Sequence, residues 1–160
     1  MKILGLIFDP NLNTTVVVLL DPHRDRVLPI WIGAMEGNAI ALGMEKVSTP
    51  RPMTHDLISN ILEELEAVVE RVVVTELKED TFYALIHLSS GGRALEIDSR
   101  PSDAIALAVR TGAPIYCTEE VLKEAEELGI LREKKEMEAS EELGKWLEQL
   151  NPEIFGKYKM

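Results

Sequence analysis

Ala39-Ile40-Ala41-Leu42 recurs without change as Ala104-Ile105-Ala106-Leu107, 65 positions further along the chain. The same offset places Ile32 on Ile97 and brings three apolar, strand-like segments of each half into phase. Each half is therefore predicted to contain three strands followed by a helix. Neither half is long enough to be a typical domain, so the two units are expected to share one hydrophobic core. The repeat predicts a single α+β domain of mixed β-sheet and helices, built from two strand-strand-strand-helix repeats.

Apolar patterns and turn residues set the predicted elements. Val16-Val17-Val18-Leu19-Leu20 is an unbroken apolar run, which is typical of a strand buried on both faces. Pro29 removes a backbone donor from its strand, which favours an edge or a bulge. Thr54, Ser102 and Thr118 are the predicted N-caps of three helices. The predicted strands are 2–9, 14–20, 26–32, 68–77, 81–88, 94–98 and 114–118, and the predicted helices are 34–46, 54–65, 102–110, 118–128 and 140–150.

The composition separates a main domain from a charged C-terminal segment. Residues 1–128 are predicted to form the domain, with its two repeats at about 1–48 and 66–118. Residues 129–160 are predicted to be a charged connector followed by an amphipathic helix that ends before Asn151-Pro152.

Length and composition place the chain among globular proteins. It has 160 residues, of which 46% are hydrophobic and 28% are charged, and this excludes a disordered or collagen-like protein. The longest uncharged apolar stretch, 27–35, is far shorter than the roughly 20 residues that cross a bilayer. No signal peptide is recognisable at the N-terminus, and the single cysteine, Cys117, suits a reducing compartment. We expect a cytoplasmic protein with no membrane partner.

The charge balance limits how this protein can bind nucleic acid. It carries 17 basic and 28 acidic residues, a net charge of −11. Such an acidic field repels a polyanion, whereas proteins that bind nucleic acid through their net charge are basic. Any nucleic-acid site must therefore be a local arginine cluster, suited to a weakly bound or single-stranded substrate.

A comparison of the two repeats points to a site in the second one. At the predicted strand-to-helix junction, the second repeat carries two carboxylates and a guanidinium where the first has mostly neutral groups. Fold alone does not explain this difference in polarity. The positions matched by the offset of 65 are Gly33 and Asp98, Met35 and Arg100, Glu36 and Pro101, and Asn38 and Asp103.

The first candidate cluster is the segment Asp98-Ser99-Arg100-Pro101-Ser102-Asp103. A helix N-terminus presents free backbone N–H groups to a phosphate, and Arg100 can hold the same anion with two hydrogen bonds. Asp98 is a candidate general base, and Asp98 with Asp103 is a candidate site for a hydrated divalent ion, Mg²⁺ or Mn²⁺. In the structural alternative, Ser102 is a cap, Asp103 complements the helix dipole and Asp98 pairs with Arg100.

The second candidate cluster is Pro50-Arg51-Pro52-Met53-Thr54-His55-Asp56. The two prolines make a stiff loop that presents Arg51 as a phosphate ligand. His55 is a candidate for proton transfer, because the pKa of free histidine lies near neutrality. In the alternative, Asp56 is a dipole partner and His55 an ordinary surface histidine. Glu36, at a helix start in the first repeat, is a further candidate, whereas His23 in a polar turn is expected to be inert.

Four ordered motifs of this chain resemble the bifunctional nuclease domain family, and the resemblance covers about residues 1–128. It implies a compact mixed α/β domain that self-associates and has nuclease activity on RNA and DNA. It supports the motif positions as candidate site residues and assigns them no roles. The four motifs are Leu28-Pro29-Ile30-Trp31-Ile32-Gly33, Pro50-Arg51-Pro52-Met53-Thr54-His55-Asp56-Leu57, Thr81-Phe82-Tyr83-Ala84 and Asp98-Ser99-Arg100-Pro101-Ser102-Asp103-Ala104-Ile105-Ala106-Leu107; Trp146-Leu147-Glu148 and Pro152-Glu153-Ile154-Phe155 resemble the tail of bacterial members.

The leading interpretation is a phosphodiesterase that acts on nucleic acid. Arg51 and Arg100 are expected to hold a phosphate, His55 or Asp98 to act as base, and Asp98 with Asp103 to bind a divalent metal if one is used. Two alternatives remain open. One is a non-catalytic homo-oligomeric scaffold or regulatory domain that associates through strand edges. The other is a binder of a small anionic ligand such as a nucleotide.

Overall fold

A computed structural model describes residues 1–134, so the predicted helix 140–150 and the tail motifs at 146–148 and 152–155 lie outside the described residues. The described chain folds as strands and helices in the predicted order, and the α+β class is confirmed. The elements are β1 (Lys2–Asp9), β2 (Thr14–Asp21), β3 (Arg26–Gly33), α1 (Ala34–Met44), α2 (Thr54–Glu64), β4 (Ala67–Lys78), β5 (Thr81–Ser90), β6 (Arg93–Ser99), α3 (Pro101–Thr111), β7 (Ile115–Cys117), α4 (Glu119–Glu127) and β8 (Arg132–Glu133).

Each strand-strand-strand-helix unit supplies three strands of a four-stranded sheet and one packed helix, and the fourth strand of the first sheet, β8, comes from outside the predicted repeats. The first sheet has the order β1-β2-β3-β8 and the second β6-β5-β4-β7. All pairings are antiparallel except that of β4 with β7, which is parallel. Helices α1 and α3, which follow the third strand of each unit, pack against each other. The two strand-strand-strand-helix units therefore meet through their helices.

One hydrophobic core joins the two units. Most of its buried side chains come from β2 and β3 of the first unit, from β4 and β5 of the second, and from α1, α3 and α4, and Ile115 of β7 and Ile130 complete it. The run 16–19 in β2 is buried on both faces, as its unbroken apolar sequence predicts. Pro29 lies where β3 pairs with β2 alone, because the short β8 pairs with Arg26 and Val27. This position agrees with the expectation of an edge-like setting for Pro29.

Two predicted helix caps are wrong by one or two residues. Helix α2 has Met53 at the N-cap rather than Thr54, and Asp56 reaches back to accept a hydrogen bond from the Met53 backbone N–H (2.9 Å). Helix α3 has Arg100 at the N-cap rather than Ser102, because Pro101 takes the first helical position, where its missing N–H is harmless. The Thr118 cap of α4 is confirmed, since its hydroxyl accepts from the Val121 N–H at 3.3 Å.

The segment predicted as a charged connector begins with a short strand that the sequence did not indicate. Strand β8 pairs with the start of β3, and the Lys134 N–H donates to the Asp25 carbonyl at 2.8 Å. Among the helices of residues 1–134, none combines the length and apolar character that a membrane crossing requires.

Candidate functional site

The first turns of helices α1, α2 and α3 bring four charged or ionisable side chains together. These are Glu36 of α1, His55 of α2, Asp103 of α3 and Arg100 at the α3 N-cap, and we call them the helix-start cluster. They line a cavity of about 270 Å³. The fold therefore joins part of each of the two candidate clusters predicted from the sequence.

Arg100 holds the cluster together. Its Nε donates to Asp103 Oδ2 at 2.7 Å and its Nη2 to Asp103 Oδ1 at 3.2 Å, so the guanidinium grips the carboxylate with two parallel hydrogen bonds. Its Nη1 donates to Glu36 Oε1 at 3.2 Å. Arg100 thus pairs with Asp103 and Glu36, and the Asp98 pair considered in the structural alternative does not form.

His55 is tied to the same carboxylate. Its Nε2 lies 2.9 Å from Asp103 Oδ1, and its side chain is only 11% exposed. An ionised carboxylate is purely an acceptor, so Nε2 carries the proton in this bond. With Nε2 as donor, neutral His55 keeps its lone pair on Nδ1, which has no hydrogen-bond partner within residues 1–134. A partly buried, oriented imidazole of this kind is suited to accept a proton.

The electrostatic setting keeps Asp103 ionised. Partial burial acts to raise the pKa of Asp103, but the hydrogen bonds from Arg100 and His55 outweigh burial and lower this pKa below its usual value. The pKa of Arg100 is raised, chiefly by its hydrogen bond to Asp103. At neutral pH the cluster therefore contains a full negative charge on Asp103 against a full positive charge on Arg100.

Asp56 has a structural partner that sequence reasoning missed. Asp56 Oδ1 accepts from Arg110 Nε at 2.5 Å, and Arg110 Nη1 donates to the carbonyls of Ala39 (3.0 Å) and Ala106 (2.8 Å). The Arg110 side chain is 8% exposed. Through these bonds its guanidinium connects α1, α2 and α3. The hydrogen bond from Arg110 lowers the pKa of Asp56, with a smaller contribution from the Met53 N–H. No local sequence pattern identifies Arg110 as this partner, because Asp56 lies 54 positions away from it.

Arg51 and Asp98 lie outside the helix-start cluster. Arg51 is exposed in its loop, and within residues 1–134 its side chain makes no hydrogen bond or ion pair. Asp98, near the end of β6, is also exposed and lines a different cavity, of about 150 Å³. Arg100 lines both cavities, so it stands between Asp98 on one side and Asp103 on the other.

The arrangement does not form a ready ligand set for a metal ion. Asp98 and Asp103 line different cavities, and both oxygens of Asp103 accept hydrogen bonds from Arg100. In the part of the chain that the structure describes, no three Asp, Glu, His or Cys side chains are grouped as metal ligands are. The divalent-metal site stays a prediction from the sequence.

Comparisons with known proteins agree on one family. The family model for the bifunctional nuclease domain matches residues 17–128. An uncharacterized protein of Mycobacterium tuberculosis is 40% identical over 125 residues, which cover 78% of this chain and 74% of that protein. Bifunctional nuclease 1 of Arabidopsis thaliana is 30% identical over 106 residues, covering 64% of this chain and 33% of the plant protein. Bifunctional nuclease 1 of Oryza sativa subsp. japonica is 26% identical over 103 residues, covering 62% and 31%.

Proposed function

This chain belongs to the bifunctional nuclease domain family, and we propose that it is a nuclease that hydrolyses phosphodiester bonds of RNA or DNA at the helix-start cluster. The observation that carries the proposal is the contact of His55 Nε2 with Asp103 Oδ1 at 2.9 Å, beside an exposed arginine and an open cavity. This contact joins a candidate base to a group that orients it.

His55 is the proposed general base. Asp103 holds the Nε2–H, and Nδ1 takes a proton from water or from a ribose 2′-hydroxyl. The deprotonated oxygen then attacks phosphorus, the bond from phosphorus to the leaving oxygen breaks, and the leaving oxygen takes a proton from water. The imidazolium afterwards returns its proton to solvent. Asp103 stabilises the imidazolium that forms, as a carboxylate does in other histidine dyads.

Arg100 is the proposed phosphate ligand. A guanidinium has five N–H donors, and three of them are used by Asp103 and Glu36. The remaining donors are free to bind phosphate oxygens, and the side chain is 44% exposed. Glu36 and Asp103 therefore fix the position of the guanidinium while leaving part of it open to substrate. This local positive group suits a short or single-stranded substrate, because the whole chain carries −11.

The test is cleavage of labelled single-stranded RNA and DNA by the wild type, His55→Asn and Asp103→Asn, all purified identically. We expect each variant to lose at least about 100-fold in rate, the usual contribution of a general base. His23→Asn, in the exposed turn between β2 and β3, is the matched histidine control and should keep the wild-type rate. Thermal unfolding of each variant establishes that it is folded.

Reactions with Mg²⁺, Mn²⁺ or EDTA run in parallel and decide whether the predicted divalent metal is needed. Equal cleavage by the wild type and folded His55→Asn would contradict the assignment of His55. Absence of cleavage in every wild-type reaction would contradict the proposed nuclease activity and favour the scaffold.

A homo-oligomeric scaffold is the second candidate function, favoured by one feature of α2. Four large apolar side chains on or directly after this helix are exposed, namely Leu57, Ile58, Ile61 and Leu65. A contiguous exposed apolar face is typical of an interaction surface. Light scattering of the wild type and of the double variant Leu57→Ser/Ile61→Ser tests self-association through this face. A multimeric wild type that becomes monomeric on this change is the expected result, and a monomeric wild type contradicts it.

A further inference from the structure

The second cavity beside Arg100 has the features of a small-ligand pocket. It lies between β3, the start of β5 and the junction of β6 with α3. Trp31 and Phe82, each 7% exposed, contribute buried aromatic surface to it, while Tyr83 is 40% exposed at its edge. Asp98 and Arg100 supply a negative and a positive group. An apolar cleft with a few convergent polar groups is the usual form of a ligand site.

We propose that this cavity binds a nucleobase, with a preference for guanine, and that Asp98 reads the base. The inference rests on the proposed function, because it concerns the base attached to the phosphate that Arg100 holds. It gives Asp98 a specificity role, in place of the general-base or metal-ligand role predicted from the sequence.

The size of the cavity favours one ring system. Its volume of about 150 Å³ is about half of the roughly 300 Å³ at the lower end of the range for drug-sized ligands. A whole nucleotide does not fit in this space, but a base does, with its sugar and phosphate outside. Arg100 lines both this cavity and the cavity of the helix-start cluster, so a base held here leaves its phosphate near the cluster.

The strand register places an aromatic ring on the same face of the sheet as the Asp98 carboxylate, diagonally across the strand pair. Leu85 of β5 pairs directly with Asp98 of β6, so their side chains lie on the same face of the sheet. Tyr83 lies two residues before Leu85 and shares that face. Stacking on a tyrosine typically contributes about 1–3 kcal/mol per base and does not discriminate among bases. Selectivity must therefore come from a hydrogen-bonding group next to the ring, and Asp98 is that group.

Guanine matches a carboxylate better than the other bases do. Its N1–H and exocyclic amino group are adjacent donors, so both oxygens of Asp98 can accept at once. Adenine, cytosine and uracil place an acceptor atom next to their Watson–Crick donors, and this atom repels a carboxylate oxygen. The Asp98 carboxylate has no hydrogen bond or ion pair to any residue in 1–134, so both oxygens are open to a ligand.

The test measures binding separately from turnover. Calorimetry with guanosine, adenosine and uridine 5′-monophosphates is performed on the wild type, Asp98→Asn and Glu96→Gln. Glu96 is the matched control, because it is an exposed carboxylate on the same strand and face, two residues from Asp98, and does not line the cavity. We expect the guanosine nucleotide to bind the wild type and Glu96→Gln at least tenfold more tightly than the other two. Asp98→Asn should bind all three within about threefold of one another.

The same titrations on His55→Asn separate this inference from the proposed function. This variant should lose cleavage yet keep the guanine preference, because His55 does not line the base cavity. Equal affinities of the wild type for the three nucleotides would overturn the inference, as would a guanine preference that survives Asp98→Asn. If His55→Asn cleaves normally while the guanine preference depends on Asp98, the assignment of His55 as general base is wrong. The proposed nucleobase site then still stands.

Discussion

Asp56 and Asp103 each accept hydrogen bonds from an arginine, yet the two carboxylates are placed for different tasks. Asp56 is held by Arg110, whose guanidinium also binds two helix carbonyls and is almost fully buried. Asp103 is held by the exposed Arg100 and contacts His55 beside a cavity. The sequence placed both aspartates at helix starts, but it could not distinguish them, because their partners lie elsewhere in the chain.

The Asp56 pair has a predictable effect on stability. Asp56→Asn leaves the buried Arg110 without its countercharge, and we expect the free energy of unfolding at pH 7 to fall by about 1.5–3 kcal/mol. Because the pKa of Asp56 is lowered in the folded protein, its stabilisation is complete above the unfolded pKa of about 3.9 and is lost as the pH falls through the folded pKa. The difference in the free energy of unfolding between wild type and Asp56→Asn should therefore be constant near neutrality and shrink below about pH 4.

Urea unfolding from pH 7 down to pH 3 measures this difference. Asp25→Asn, an exposed carboxylate in the turn between β2 and β3, is the control and should change stability by less than about 0.5 kcal/mol. A difference between wild type and Asp56→Asn that grows as the pH falls would contradict the pairing with Arg110.

The two arginines predicted to hold phosphate should differ in importance. Arg100→Lys keeps the charge but loses the fork that grips Asp103, so both the phosphate contact and the orientation of the His55–Asp103 pair are disturbed. Arg51→Lys should be nearly silent, because Arg51 is an exposed side chain with no contact to orient it within residues 1–134. We expect kcat/KM to fall at least tenfold in Arg100→Lys and less than threefold in Arg51→Lys. Equal losses in the two variants would contradict this prediction, because they would show that the Arg51 guanidinium is needed as much as that of Arg100. Full activity in both would show that charge alone matters.

At the scale of elements, two glycines allow α1 to lie close to its neighbours. A Cβ at Gly37 would lie 2.6 Å from both Cβ and Cγ2 of Thr15 in β2, and a Cβ at Gly43 would lie 2.6 Å from Val109 Cγ2 in α3. Contacts this short require α1 or the contacted side chains to shift, and forced overpacking typically costs about 1–3 kcal/mol. Alanine is the better helix former by about 1 kcal/mol, which offsets part of this cost.

Gly37→Ala should therefore lower the melting temperature and also reduce activity, because α1 carries Glu36 next to the affected residue. Gly5→Ala is the matched control, since a Cβ there meets no atom within 4 Å. Differential scanning calorimetry and the cleavage assay measure the two effects. A stabilised Gly37→Ala protein would mean that helix propensity outweighs the contact with Thr15.

The elements differ in how well their sequence predicts them. The long strands follow from apolar runs and turn residues, and α1 and α3 follow from the segment that recurs at 39–42 and 104–107, so their order is predicted correctly. The N-caps of α2 and α3 are harder to predict, because neighbouring residues compete for the cap position. Pro101 takes the first helical position of α3, and Asp56 accepts a hydrogen bond from the Met53 N–H in α2. Strand β8 has two residues, too few for any periodicity, and forms because β3 offers it an edge.

At the scale of the whole molecule, the candidate site is assembled from both repeats and the segment between them. The difference in polarity between the repeats points to Arg100 and Asp103, and the histidine motif lies between the repeats. Yet His55 and Asp103 are 48 positions apart in the sequence, and Glu36 and Arg100 are 64 apart. No local pattern predicts contacts between residues so far apart in the chain. The sequence therefore predicts which residues are candidates, and the packing of α1, α2 and α3 determines which of them touch.

The whole-molecule charge leads to a prediction about salt. If Arg51 and Arg100 are the two phosphate contacts, binding of single-stranded nucleic acid should give a slope of about −1.4 for log K against log salt concentration. The net charge of −11 repels the same strand, and salt screens this repulsion, so the measured slope should be shallower still. Fluorescence anisotropy with a labelled oligonucleotide on His55→Asn between 50 and 200 mM salt measures it without cleavage. A slope steeper than about −3.5 corresponds to five or more phosphate contacts, and would mean that an extended basic surface binds the strand rather than a local arginine site.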